Sequence, residues 1–212
     1  MTRAAVLRAS NYRRMPWKNG GGETVEVAVS PEGAALSDFD WRVSMATVAT
    51  DGPFSIFPGI DRTLSIIDGN GMQLAIDGDD PLLLTQDSAP LAFAADVAVA
   101  AALAEGPITD LNVMTRRDGL RHRVERVDID SRATFQPAAP TWLLLCHRGA
   151  LTVEWSGQSV DLGQGDTLLL EQVGDAELLL EQPGDVELLL EQPGDVEVSG
   201  RARCFLILID PV

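Results

Sequence analysis

At 212 residues the chain is long enough for one large domain or two small ones, burying roughly 70% of its unfolded surface. A composition 45% hydrophobic and 23% charged excludes a disordered chain, and no apolar run approaches the ~20 residues of a membrane span. A net charge of −16 with no visible basic patch opposes direct binding of nucleic acid, whose phosphates an acidic surface repels.

The N-terminal stretch MTRAAVLRASNYRR has basic residues but neither an uninterrupted apolar core nor a small-residue cleavage site, so no signal peptide is expected and the chain reads as cytoplasmic. Next comes MPWKNGGGETVEV, with Gly20-Gly21-Gly22 between a Trp-Lys-Asn cluster and an alternating apolar run. It lacks the Gly-Lys-Ser/Thr ending of a phosphate loop and precedes a strand, so no helix N-terminus waits there for phosphate. The glycines read instead as bare backbone leading into a strand, leaving room for a ligand and offering it N–H donors.

Period-two alternation then recurs. In TVEVAVS, Val25, Val27 and Val29 oppose Thr24, Glu26, Ala28 and Ser30; in WRVSMA, Trp41, Val43 and Met45 oppose Arg42, Ser44 and Ala46. GMQLAIDG behaves likewise. The Ala-rich stretch 94–106 has helical propensity, but DVAVAAAL alternates between strand neighbours, which favours a strand. In TDLNVMTRR, Leu111 and Val113 oppose Asp110, Asn112, Met114 and Arg116. Turn signals arrive roughly every ten residues, the rhythm of an antiparallel sandwich or barrel.

The second half repeats the plan: WLLLCHRGALTVEWSGQSVDLGQGDTLLLEQ reads as four strands with Gly-containing turns, one of them setting Leu151, Val153 and Trp155 against Thr152, Glu154 and Ser156. Two related β halves predict an all-β bicupin, two jelly-roll-like antiparallel barrels packed together, with approximate halves 1–118 and 119–212. Cys146 and Cys204 sit in apolar runs and read as buried hydrophobes rather than a disulfide. Residues 168–197 are a ten-residue tandem repeat, LLLEQVGDAE followed by two copies of LLLEQPGDVE. Residues 167–200 hold nine acids and no Lys or Arg, while the rest of the chain carries 23 acids against 16 bases. Pro-Gly suits a type II turn, so the repeat reads as an expanded loop or hairpin within the second half.

A His-based metal site is not expected. His122 and His147 are far apart, each flanked by arginine, and Val or Glu follows the Gln-Pro-Gly-Asp turn. No nucleophile elbow or phosphate loop is present, and no cofactor is expected. Four stretches instead carry polar residues that a plain core does not need: 16–26, 41–48, 52–62 and 109–117. Either these faces are solvated, or they line a lumen whose space a ligand fills. In the second case Lys18, Arg42, Arg62 and Arg116 supply cationic donors suited to carboxylates.

MPWKNGGGETVEV, DWRVSMATVATDGPFSIFPGIDRTLSIIDGNGM and GPITDLNVMTRR together strongly resemble the HutD/Ves family of bacterial cupin-like proteins. The resemblance covers most of residues 8 to 170 and resumes near 193 to 210. It implies a bicupin fold and an accessory or regulatory role that limits histidine utilisation by binding a pathway carboxylate such as urocanate or formylglutamate. This chain departs from the family pattern at Ala94-Ala95-Asp96 and at Leu111, and the repeat is foreign to it.

On that reading Lys18, Arg42, Arg62 and Arg116 hold the anion. Asn19, Thr24, Ser44, Ser55 and Asn112 orient it, Trp17, Phe57 and Met114 wall it, and Gly20, Gly21, Glu26, Asp61 and Asp110 complete the site. No residue is assigned a catalytic role. The expected partner is a small carboxylate, with neither nucleic acid nor membrane; a homodimer is compatible with the reading. Two alternatives stay open: a metal-independent enzyme using Glu26 or Asp110 as general acid or base, and an interaction protein docking through the acidic repeat.

Overall fold

The computed structural model describes residues 1–18, 20–172, 187–190 and 194–212. The chain is all-β. Its strands are β1 (Thr2–Leu7), β2 (Arg13–Pro16), β3 (Gly22–Ser30), β4 (Trp41–Val48), β5 (Gly52–Pro53), β6 (Ile60–Asp68), β7 (Met72–Ile76), β8 (Leu82–Leu84) and β9 (Leu91–Ala94). There follow β10 (Val99–Leu103), β11 (Ile108–Arg116), β12 (Leu120–Ile129), β13 (Arg132–Phe135), β14 (Thr141–Trp155), β15 (Gln158–Leu162), β16 (Thr167–Gln172), β17 (Glu187–Leu190) and β18 (Val196–Pro211). No helix among the described residues is long and apolar enough to cross a membrane.

Contacts gather the chain into two compact units. The upstream unit is Tyr12–His122 with Pro211–Val212; the downstream unit is Met1–Asn11 with Arg123–Asp210. The upstream unit holds a six-stranded sheet, β2-β3-β4-β11-β6-β9, and a four-stranded sheet, β5-β10-β7-β8. Val48, Leu64, Ile66 and Ile108 of the first pack with Met72, Leu74, Val99 and Ala101 of the second in one buried apolar cluster. The stretch with helical propensity is strand β10: Val99 and Ala101 are buried while Ala100 and Ala102 are exposed, a period of two.

Long β14 and β18 form the spine of the downstream sheet, β12-β18-β14-β16-β1-β17, with β13 beside β18 and β15 beside β14. β14 pairs with β16 through Thr141–Leu145 and with β15 through Leu151–Trp155, with a register shift between Cys146 and Arg148. One copy of the Leu-Leu-Leu repeat lies in β16 and another in β17, and both pair antiparallel with β1: Ala4 faces Leu170 on one side and Leu188 on the other. Residues 173–186 and 191–193 of the repeat lie outside the described residues, so the loop expected there stays a sequence reading. Among the described residues no sheet closes into a barrel, which the jelly-roll reading expected. The four-stranded sheet ends on the two-residue strand Gly52–Pro53, whose proline has no N–H to extend a ladder.

The downstream interior is apolar: Trp142, Leu144, Cys146, Leu151, Val153 and Trp155 of β14 pack with Val196, Val198, Cys204 and Leu206 of β18. Free Cys146 and Cys204 lie opposite each other on these strands as buried residues. Leu144 is wholly buried here, so Leu144→Ala should cost about 2–5 kcal/mol in urea unfolding. Leu83→Ala, at an exposed position, should stay within about 0.5 kcal/mol.

Candidate functional site

All of the buried charged residues among those described, Arg42, Arg62 and Asp110, belong to the upstream unit. Register places them together. β11 faces β4 with Asp110 opposite Ala46, Asn112 opposite Ser44 and Met114 opposite Arg42. On its other side β11 faces β6 with Asp110 opposite Ile66, Asn112 opposite Leu64 and Met114 opposite Arg62. β3 adds Thr24 opposite Ala46 and Glu26 opposite Ser44. Directly opposed residues share a face, so Glu26, Arg42, Ser44, Arg62, Asp110 and Asn112 form a polar band on the inner face of the six-stranded sheet. Apolar clusters flank the band, one containing Val48, Ile66 and Ile108, the other Phe39, Ile60 and Met114.

Two irregularities shape the band. The β3–β4 register shifts between Glu26 and Ala28, which breaks the alternation expected for Val25, Val27 and Val29. Val29 now lies opposite Arg42, on the face of Glu26, and packs against the cluster of Ile60 and Met114. A second shift, between Thr109 and Asp110, brings Asp110 opposite Ile66. Bulges turn side chains in this way, and sequence alternation alone does not reveal them.

The cations are held differently. Arg42 donates through Nε to Glu26 Oε2 at 2.7 Å and through Nη1 to Ser44 Oγ at 3.3 Å. Arg62 is 6% exposed, its Nε has no hydrogen-bond partner, and no ion pair reaches it among the described residues. Its guanidinium carbon instead lies 5.3 Å from the Phe54 ring centre, 5.4 Å from Phe57 and 5.8 Å from Phe93. Phe93 is its direct cross-strand neighbour on β9; Phe54 and Phe57 come from the loop between β5 and β6. Burial pulls the Arg62 guanidinium down to about 10, with Asp110 opposing and Arg42 reinforcing the shift. Asp110, 1% exposed, accepts hydrogen bonds from Asn112 Nδ2 and the Ala46 backbone. Burial pushes its carboxyl up to about 7, against the pull of Arg62.

The Phe57 loop is pinned from outside the band. Arg117 donates to Asp61 at 2.7 Å, to both oxygens of Asp96 at 2.9 and 3.0 Å, and to the Ile60 carbonyl at 3.1 Å. The Phe57 N–H donates to the Ala95 carbonyl at 2.8 Å. Asp61 therefore pairs with Arg117 and not with its sequence neighbour Arg62, because adjacent strand residues point to opposite faces. Ala94-Ala95-Asp96 supplies one end of this clamp, and Arg117 holds the Asp96 carboxyl below its ordinary range.

Of the remaining sequence candidates, Trp17 is half-buried, donates from Nε1 to Thr24 Oγ1 at 2.8 Å and packs on the cluster of Val48 and Ile108. Met114 is buried beside Phe39, and Phe57 is half-buried in the Arg62 cage. Lys18 and Ser55 are exposed. Arg116 is half-exposed, bonding the Phe39 carbonyl at 2.8 Å and pairing with Asp40 at 3.6 Å. Asn19 lies outside the described residues. Gly20, at φ +70°, makes the turn that returns to the Trp17 carbonyl at 3.0 Å, and Gly21, which is buried, receives the Ala49 N–H. A Cβ on Gly22 would collide with the Thr47 carbonyl and the Trp17 ring. Sequence reasoning missed Phe54, Phe93, Asp96 and Arg117; only the pairing of β6 with β9 reveals that Phe93 faces Arg62.

No group of three or more His, Cys, Asp or Glu among the described residues is placed to hold a metal ion. His122 lies between Thr115 Oγ1 at 2.7 Å and Thr63 Oγ1 at 2.8 Å, and burial lowers it to about 4. The downstream unit has a depression of about 410 Å³, bordered by Trp155 and by Glu154, Asp195 and Glu197. Three carboxylates make it a poor host for an anion.

The HutD family profile matches residues 9–189. The chain belongs to the HutD family. It is 37% identical over 179 residues to an uncharacterized 21.2 kDa protein in the hutC 3′ region of Pseudomonas putida, covering 84% of this chain and 91% of that protein. It is 40% identical over 123 residues to protein Ves of Citrobacter koseri, covering 56% of this chain and 62% of that one. The structure of HutD from Pseudomonas fluorescens SBW25, described as a formate condition, superposes with a TM-score of 0.75 at 32% identity, covering 99% of both chains. A cupin 2 conserved barrel domain protein from Leptotrichia buccalis matches with a TM-score of 0.54 at 11% identity over 88% of both chains. This HutD chain therefore has an all-β, cupin-like fold.

Burial of Asp110 has a measurable cost. Its folded pKa near 7 lies above the unfolded value of about 3.9. Between those values the folded state binds more protons than the unfolded one, so this group's contribution to stability falls as pH rises through the window. Asp110→Asn removes the term. Its stability relative to wild type should rise by on the order of 2 kcal/mol between pH 5 and pH 8 in paired urea melts. Gly22→Ala should cost more than Gly20→Ala, where positive φ costs about 1–2 kcal/mol but the added methyl meets nothing within 4 Å.

Proposed function

We propose that this HutD chain is a bicupin that binds a small carboxylate without transforming it. It acts as an accessory or regulatory protein of histidine utilisation. The observation that carries the reading is Arg62: a buried guanidinium, ringed by phenylalanines, whose Nε has no hydrogen-bond partner. Guanidinium presents a planar fork that matches a carboxylate bidentately, and the phenyl rings exclude water that would weaken the bond. The other buried cation, Arg42, is already engaged by Glu26, so the free binding capacity of the band is at Arg62.

Histidine utilisation comes from the relatives. One is named for its place beside hutC and another is itself called HutD. Formate, named in the description of the latter, is the smallest carboxylate a guanidinium fork can hold. Urocanate and formylglutamate are the pathway carboxylates to test alongside it. Binding is favoured over turnover because Glu26, one of the two candidate bases, is committed to Arg42 at 2.7 Å.

Thermal shift and calorimetry against formate, urocanate and formylglutamate, with uncharged amides of the same acids as controls, test this directly. A carboxylate at 100 times its Kd should stabilise the protein by about 2.7 kcal/mol, and the amides should not. Arg62→Gln should weaken binding at least tenfold, whereas Lys18→Ala and Arg116→Ala should change it little. Absence of stabilisation by every carboxylate would defeat the reading.

A further inference from the structure

The inner face of the six-stranded sheet brings four charged or titratable groups into one band: Glu26 from β3, Arg42 from β4, Arg62 from β6 and Asp110 from β11. The four-stranded sheet opposite contributes Met72, Leu74, Leu84, Val99 and Ala101 to the shared core, none of them titratable. The β5–β6 loop adds the rings of Phe54 and Phe57, and the segment before β3 adds Trp17. His122 lies against Thr63 and Thr115, which belong to the opposite face of the sheet.

Within the band the charges are unequally paired. Glu26 neutralises Arg42 through a direct bond. Arg62 and Asp110 balance each other through space, with no ion pair between them among the described residues. The Asp110 carboxyl has only amide donors, from Asn112 and the Ala46 backbone. With both carboxyls ionised the band is neutral. An anion that takes the donors of Arg62 leaves it one negative charge in excess, in surroundings where uncompensated charge is expensive.

We propose that an anion enters this site together with a proton, and that the proton comes to rest on Asp110. The inference rests on the reading of Arg62 as the anion's partner. The proton comes from solvent or buffer acid, and no other bond is made or broken. Glu26 is the less suitable acceptor, since protonating it would strand the buried charge of Arg42. Asp110 is already near its titration point at neutral pH, because burial has raised it to about 7. A bound anion adds repulsion and raises it further.

The sign of the pH dependence follows. Well below pH 7 Asp110 already holds its proton, and affinity is flat. Above pH 7 each anion must bring a proton, and affinity falls by up to tenfold per pH unit until the pKa of the bound state is reached.

The experiment uses sodium formate and the full chain, between pH 5.5 and 8.5, where formate itself stays ionised. Protein carrying ¹³C-labelled aspartate gives a side-chain carboxyl resonance assigned to Asp110 by its loss in Asp110→Asn. The expected result is a free-state midpoint near 7 that moves up by at least one unit with saturating formate. Formate affinity should drop at least fourfold from pH 7 to pH 8.5 in wild type and stay level in Asp110→Asn. Saturable binding with a flat pH profile and an unmoved Asp110 resonance would overturn the proton coupling and leave anion binding standing. No saturable formate binding even at pH 5.5 would overturn the anion reading, and the coupling with it. If the variant does not fold, the carboxyl resonance is assigned to Asp110 in wild type by through-bond correlation to its own backbone, and its shift with formate carries the test.

Discussion

A guanidinium buried among phenyl rings is the constraint on which the upstream unit turns. Moving an ion out of water costs several kcal/mol even after relaxation, and a cation–π contact returns only about 0.5–2 kcal/mol. Phe54, Phe57 and Phe93 around Arg62 therefore offset part of that cost but leave its Nε without an acceptor. The charge of Asp110 in the same band offsets a further part at a distance, and burial still outweighs it. The cage stands because structure beyond it holds each ring: Phe93 by strand pairing with Arg62, Phe54 by its N–H bond to the Val99 carbonyl, and Phe57 by the turn that Arg117 and Asp96 clamp.

The two units meet the problem of an interior in opposite ways. Downstream, β14 and β18 bring together leucine, valine and tryptophan, and the space between strands is filled by their own side chains. Upstream, the equivalent space is interrupted by the band from Glu26 to Arg62. Apolar residues close both ends, Ile108 and Ile66 at one and Ile60 and Met114 at the other. Such an arrangement sacrifices stability for a site. A buried ion pair is weaker than the packed hydrophobes that could replace it, and a carboxyl whose pKa burial has raised destabilises the fold when ionised.

Much of this was legible in the sequence, because strand alternation is a geometric property that survives into the fold. Asp110, Asn112 and Met114 share a face as their spacing predicts, as do Arg42, Ser44 and Ala46. What alternation could not supply was register. The bulge at Val27 moves Val29 to the face of Glu26, and no local pattern marks it. Phe93 reaches Arg62 only through the pairing of β6 with β9, residues some thirty apart in sequence. Polar residues on turns were the hardest to place, since a turn has no period from which to read direction. Lys18 and Ser55 lie in solvent; Arg116, at the very end of β11, bonds the Phe39 carbonyl and pairs with Asp40. The family resemblance was carried by motifs whose individual residues proved to have mixed roles.

The glycine triplet shows how a motif can serve a site without touching a ligand. Gly20 takes the left-handed turn, and Gly22 lacks a side chain because the Thr47 carbonyl and the Trp17 ring occupy the space one would need. That closeness lets Trp17 lie across the start of β3, bond Thr24 and cover the apolar cluster beside the polar band. A residue larger than glycine would lift the indole and expose the flank of the band to water. Screening by that water would weaken the field between Arg62 and Asp110. The bare backbone thus acts on the buried charges through packing, by keeping dry the region in which they interact.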